Sequence, residues 1–123
     1  MIKATLTLAL GLVAGSAMAQ DAGQAAYTTD CSACHQANGQ GIKGAFPALA
    51  GDPLVKGDPA VVIGVVLNGR GGMPSFKADL SDGEVAAAVS YIRAAWGNGA
   101  ASVTPTAVAA IRSAPPQPHG DAH

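Results

Sequence analysis

The chain has 123 residues, with seven Lys and Arg against eight Asp and Glu, a formal charge of −1, two cysteines and three histidines. That length allows one small domain, and no basic run marks a nucleic-acid partner. Ala and Gly dominate, and Tyr27, Phe46, Phe76, Tyr91 and Trp96 are all the aromatic residues, so a domain of this size has little from which to build its own core.

Met1-Ile2-Lys3, an apolar stretch from Ala4 to Ala14 and Ala17-Met18-Ala19 form a charged start, a short hydrophobic run and a small-x-small site. Residues 1–19 are expected to be a secretory signal peptide cleaved after Ala19, which places the protein in the periplasm. The run is short for crossing a bilayer, and an uncleaved anchor is the alternative. The mature domain then covers residues 20–112, and residues 113–123 form a flexible Pro-rich tail.

Asp21 to Tyr27 reads as a short helix in which Gly23 and Tyr27 share a face. Cys31-Ser32-Ala33-Cys34-His35 follows and holds both cysteines. Cys-x-x-Cys-His is the attachment signature of a c-type haem. On a helical turn Cys31 and Cys34 lie on one face, where each can form a thioether with a haem vinyl, and His35 can bring Nε2 to iron. Three other uses of the pair remain. A redox Cys-x-x-Cys needs a thioredoxin-like βαβ setting, which the flanks lack. A zinc site needs about four ligands, and only His119 and His123 are left to complete one. A disulfide across two residues would staple almost nothing.

Residues 36–51 read as a glycine-rich loop with Phe46-Pro47-Ala48-Leu49 as an apolar knot. Asp58-Pro59 is a helix start, Asp as N-cap and Pro in the first turn, and Asn68-Gly69 is a stop. The β-branched run between them also fits a strand, but the end signals favour a helix. A second loop, from Gly69 to Asp79, contains Gly71-Gly72-Met73-Pro74. Ser81 and Glu84 then form a capping box with Leu80 and Val85 as its staple. Val85, Val89, Ile92 and Trp96 line one face of the resulting helix, which Gly97-Asn98-Gly99 ends. Thr104-Pro105 starts a last short helix through Val108 and Ile111.

Haem iron with one histidine needs an opposite ligand. Met1 and Met18 fall in the signal peptide, so Met73 is the sole methionine of the mature chain. Pro74 pushes Met73 away from the α region, and the glycines before it let backbone pass close to a flat ring. Ordinary core filling by Met73 is the competing use, with His119 and His123 in the tail as rival ligands. Histidine–methionine ligation raises the reduction potential and fills both axial positions.

With the Cys-x-x-Cys-His motif, Pro47, Leu49 and Met73-Pro74 in place, the chain resembles the class I c-type cytochromes from about Asp21 to Asn98. The resemblance implies an all-α fold of three to five short helices wrapped around one covalently bound haem c. It implies that Pro47 accepts a hydrogen bond from Nδ1–H of His35, a plain loop stiffener being the other reading. It implies that Leu49 touches the haem face, and that Gly23, Tyr27 and Tyr91 mark the crossing of the first and last helices. Arg70, beside the methionine, is placed to pair with a haem propionate, a solvated surface arginine being the alternative. Asn68 is read as a helix end.

The expected function is one-electron transport rather than catalysis, as a monomer without a small-molecule substrate. A dehydrogenase or quinol-oxidising complex is the expected donor and an oxidase or reductase the acceptor. Only Lys43, Lys56 and Lys77 could form a basic docking ring, so contact through a mostly apolar rim with weak salt dependence is expected. Two alternatives stand beside the free carrier: a haem subunit permanently bound to a membrane dehydrogenase or oxidase, and a small haem peroxidase or gas-binding protein.

Overall fold

The computed structural model describes residues 14–115, and within them six helices occur: α1 (Ala14–Asp30), α2 (Ser32–His35), α3 (Pro53–Lys56), α4 (Pro59–Asn68), α5 (Asp82–Ala94) and α6 (Pro105–Ser113). The short helices α2 and α3 have four residues each. Among the described residues the only β pairings are two isolated bridges, Ile42 with Phe46 and Arg70 with Met73. Most of the expected signal peptide lies outside the described residues, as do His119, His123 and the tail from residue 116. The first helix is longer than the Asp21–Tyr27 segment read from sequence and runs unbroken through Ala19-Gln20. Its first buried residues among the described side chains are Gly23 and Tyr27.

Those two residues carry the contact with α5. A Cβ on Gly23 would stand 2.6 Å from the Ala87 carbonyl oxygen and 2.9 Å from Tyr91 Cβ, so only glycine allows the backbones this close. Gly23→Ala is expected to destabilise the holoprotein by about 1–3 kcal/mol, the usual cost of overpacking. A lowered urea midpoint checks this, and an unchanged midpoint would mean that the crossing relaxes freely.

The β-branched run is helical. Asp58 accepts a hydrogen bond from Ala60 N at 2.9 Å, Pro59 occupies the first turn, and Gly69 follows the last residue of α4 at φ 74°. The run lacks an amphipathic stripe because the helix is covered on two sides. Val62, Val65 and Val66 line a cleft, while the core cluster also joins α4 to Val85, Val89 and Val108. The capping box of α5 is complete, with Glu84 N to Ser81 Oγ at 3.1 Å and Ser81 N to Glu84 Oε2 at 2.8 Å.

The α5 helix ends earlier than the sequence predicts, at Ala94, so Trp96 does not continue the Val85–Val89–Ile92 face. Trp96 takes φ 53°, donates from Nε1 to the Ala37 carbonyl at 3.3 Å, and packs its ring edge-on against Tyr27 and Tyr91. The last helix is clasped by Arg112, whose Nε meets Asp82 Oδ1 at 2.7 Å. The same guanidinium donates to the Lys77 and Leu80 carbonyls. Ser113, the first residue of the expected tail, still belongs to α6.

Candidate functional site

The sequence around Cys31 folds into one tight turn. Cys31 N bonds to Tyr27 O as α1 ends, and His35 N bonds back to Cys31 O at 3.0 Å. Cys31 is half-buried and Cys34 exposed, and both line the cleft together with His35. Burial, helped by the charges of Asp30 and Cys34, pushes the Cys31 thiol up to about 11. A redox Cys-x-x-Cys works through a lowered thiol pKa, so this environment is the opposite of what that chemistry uses. Among the described residues no group of three or more His, Cys, Asp or Glu side chains is arranged to hold a metal ion.

His35 Nδ1 lies 2.9 Å from the Pro47 carbonyl oxygen. A carbonyl only accepts, so Nδ1 carries a proton, and in the neutral ring Nε2 is the nitrogen with the free lone pair. Pro47 reaches that position because the glycine-rich loop folds back on itself. Gly41 N bonds to His35 O at 3.0 Å, and Ile42 and Phe46 form the first bridge. Gly41 has φ 61°, and a Cβ there would stand 2.3 Å from Phe46 O and 2.6 Å from Pro47 O. Glycine at 41 is therefore a condition for placing the Pro47 carbonyl.

The methionine loop returns over the end of α4. Arg70 and Met73 exchange backbone hydrogen bonds of 3.1 and 2.8 Å across Gly71-Gly72. Ser75 Oγ donates to Leu67 O at 2.5 Å, and Phe76 N and Lys77 N bond to the last carbonyls of α4. Met73 is half-buried against the main core cluster and lines the same cleft as His35. Arg70, Pro47 and Leu49 line it too, so every residue singled out for the site converges there. Asn68 donates to Gly64 O at 3.1 Å, which closes the helix end.

The cleft is lined mainly by apolar side chains, including Leu54, Val55, Val62, Phe76 and Ile92, and encloses about 1220 Å³ with its open mouth. Two thiols at the cleft, an imidazole with Nδ1 engaged and a thioether form a donor set that fits a haem c. Sequence reasoning missed the residues that hold this wall. Asn98, read as part of a helix stop, is buried; its Nδ2 donates to Leu49 O at 3.1 Å and Ile92 O at 2.9 Å, and its Oδ1 accepts from Gly51 N at 2.7 Å. The α3 helix also went unread, although Asp52-Pro53 carries the same start signal as Asp58-Pro59, and Asp52 Oδ1 accepts from Leu54 N at 3.0 Å.

A helical shell around an apolar cleft entered by a Cys-x-x-Cys-His turn defines a small monohaem cytochrome. The family described as Cytochrome C oxidase, cbb3-type, subunit III matches residues 18–92. Cytochrome c-552 of Thermus thermophilus is 42% identical over 113 residues, covering 79% of this chain and 74% of that protein. The cytochrome c subunit of the quinone-dependent alcohol dehydrogenase of Gluconobacter oxydans is 38% identical over 92 residues, 65% of this chain, but the match spans only 19% of that subunit. The solved cytochrome c6 of the diatom Phaeodactylum tricornutum superposes with a TM-score of 0.54 at 31% identity, covering 64% of this chain and 95% of that one.

The chain belongs to the class I c-type cytochromes. Its cofactor is haem c, bound covalently through Cys31 and Cys34, and its function is electron transport.

Proposed function

We propose that the protein is an exported, periplasmic one-electron carrier in which His35 and Met73 would hold the haem iron. The observation that carries this reading is the His35 Nδ1–Pro47 O hydrogen bond of 2.9 Å, because it leaves Nε2 as a ligand in the cleft that Met73 also lines. When bound, the haem supplies a one-electron Fe(III)/Fe(II) couple. His35 supplies a nitrogen donor whose ring orientation Pro47 fixes. Met73 supplies a soft sulfur that favours the reduced metal and leaves no coordination position for a substrate. Leu49 and the valines of α4 exclude water from the ring face, and Arg70 at the cleft is the candidate partner of a propionate.

Removal of residues 1–19 would shorten α1 yet keep Gly23 and Tyr27, the residues that bind it to α5. No helix among the described residues is long and apolar enough to cross a membrane. Ile42 and Phe46, 46% and 39% exposed, form an apolar loop with Phe46 at the cleft, which suits docking to a redox protein through an uncharged rim. A dehydrogenase or quinol-oxidising complex as donor and an oxidase or reductase as acceptor fit that rim.

The second reading, a haem subunit fixed to a dehydrogenase or oxidase, draws on the likeness to the alcohol dehydrogenase subunit. Co-purification with a membrane complex separates the two. The reduced holoprotein is expected to show no spectral change under CO, because His35 and Met73 together would leave the iron no site for it. A prompt shift would instead mark an open iron and return the protein to the peroxidase or gas-binding class.

A further inference from the structure

Arg93, in the last turn of α5, is 4% exposed. Its Nε donates to Ala101 O at 2.8 Å, and one terminal nitrogen donates to Val55 O at 2.8 Å and Gly57 O at 2.9 Å. All these partners are neutral carbonyls. Among the described residues the one salt bridge is Arg112–Asp82, and no described carboxylate lies within ion-pair distance of Arg93. The acids nearest in sequence to its α3-side partners, Asp52 and Asp58, already cap α3 and α4. Buried charges are ordinarily paired, and this one is solvated by peptide dipoles alone.

Its location gives the charge a use. Ile92, the preceding residue, lines the cleft, and so does Val55, whose carbonyl the guanidinium binds. Leu54 lines it as well. The buried cation is therefore bonded to the backbone of the apolar wall to which Leu54, Val55 and Ile92 belong, where low dielectric lets a charge act strongly on the cofactor side. Fe(III) carries one more positive charge than Fe(II). A fixed cation at the wall opposes the oxidised state more than the reduced one, and burial protects the effect from salt.

We propose that Arg93 is a potential-setting residue: a buried guanidinium, held by the Val55, Gly57 and Ala101 carbonyls, that biases the haem toward its reduced state through the cleft wall. The same three bonds tie α3 and the segment after α5 to the helix, so Arg93 also positions the wall. The proposal rests on the cleft being the haem site, but not on Met73 being a ligand.

The test compares holoproteins carrying Arg93→Gln, which keeps N–H donors and removes the charge, and Arg93→Lys, which keeps the charge. Each is titrated for its midpoint potential in low and high salt, after mass spectrometry and the visible spectrum establish one bound haem. The Arg93→Gln protein is expected to be about tenfold harder to reduce, which is 59 mV for one electron. That difference should persist in high salt, with Arg93→Lys close to the parent. Equal potentials for parent and Arg93→Gln would overturn the proposal, and so would equal falls in both variants, which would mark a purely structural role. If Arg93→Gln does not retain haem, Arg93→Lys alone decides: a parental potential supports the electrostatic role and a tenfold loss overturns it. A parent protein with no bound haem would instead refute the reading of the cleft.

Discussion

Replacing Met73 by alanine should leave a protein that keeps its covalent haem and its helices but loses its high potential and binds CO. Thioether sulfur stabilises Fe(II), so its removal should lower the midpoint on the order of 0.1 V, a fraction of the range that axial ligands span. The opened position should then take up CO stoichiometrically in the reduced state. The loop itself should survive, because its anchors are backbone and serine contacts: the Arg70–Met73 bridge and Ser75 to Leu67. Truncating a half-buried side chain against the core cluster should cost about 1–3 kcal/mol, which a folded holoprotein can absorb. Redox titration and the CO difference spectrum check both effects. An unchanged potential would remove Met73 from the iron.

Preventing haem attachment should have the second large effect. A chain with Cys31 and Cys34 both changed to alanine, produced without haem, is expected to be largely unfolded. The core is divided into two small clusters. One centres on Val62, Ile63, Leu67, Val85, Val89 and Val108, and the other on Tyr27, Val55 and Ile92. Leu49, Leu54, Val65 and Phe76 face the cleft between them. Leu54 and Phe76 pack against the first cluster and Leu49 against the second, but without the macrocycle their cleft-facing surface stays in water, and at about 25 cal/mol per Å² of apolar surface the loss is large beside the stability of a small domain. Far-UV circular dichroism with a thermal melt checks this. A native-like helical spectrum and a cooperative transition in the haem-free chain would refute it.

The site was largely legible in sequence because its chemistry is compact there. Cys31, Cys34 and His35 sit in one pentapeptide, and Met73 stands out once Met1 and Met18 are assigned to export. The starts of α4, α5 and α6 were legible too, since Asp58, Ser81 and Thr104 each bond to a backbone N–H within three residues. What stayed hidden depends on distant partners. Asn98 bonds to Leu49 and Gly51, and Arg93 to Val55 and Gly57, across stretches with no local pattern. Trp96 illustrates the limit of periodicity: it falls on the helical repeat, yet α5 ends first and its backbone turns to a positive φ.

The aromatic cluster has a practical consequence. Trp96 is the only tryptophan, and its ring centroid lies 5.1 Å from that of Tyr27, in the helix that leads directly into the cofactor turn. The protein thus carries one built-in fluorophore at the seam between α1 and α5. Energy transfer to the porphyrin would keep that fluorophore dark while the seam is closed. Emission from a single indole then reports the parting of α1 from α5 without any added label.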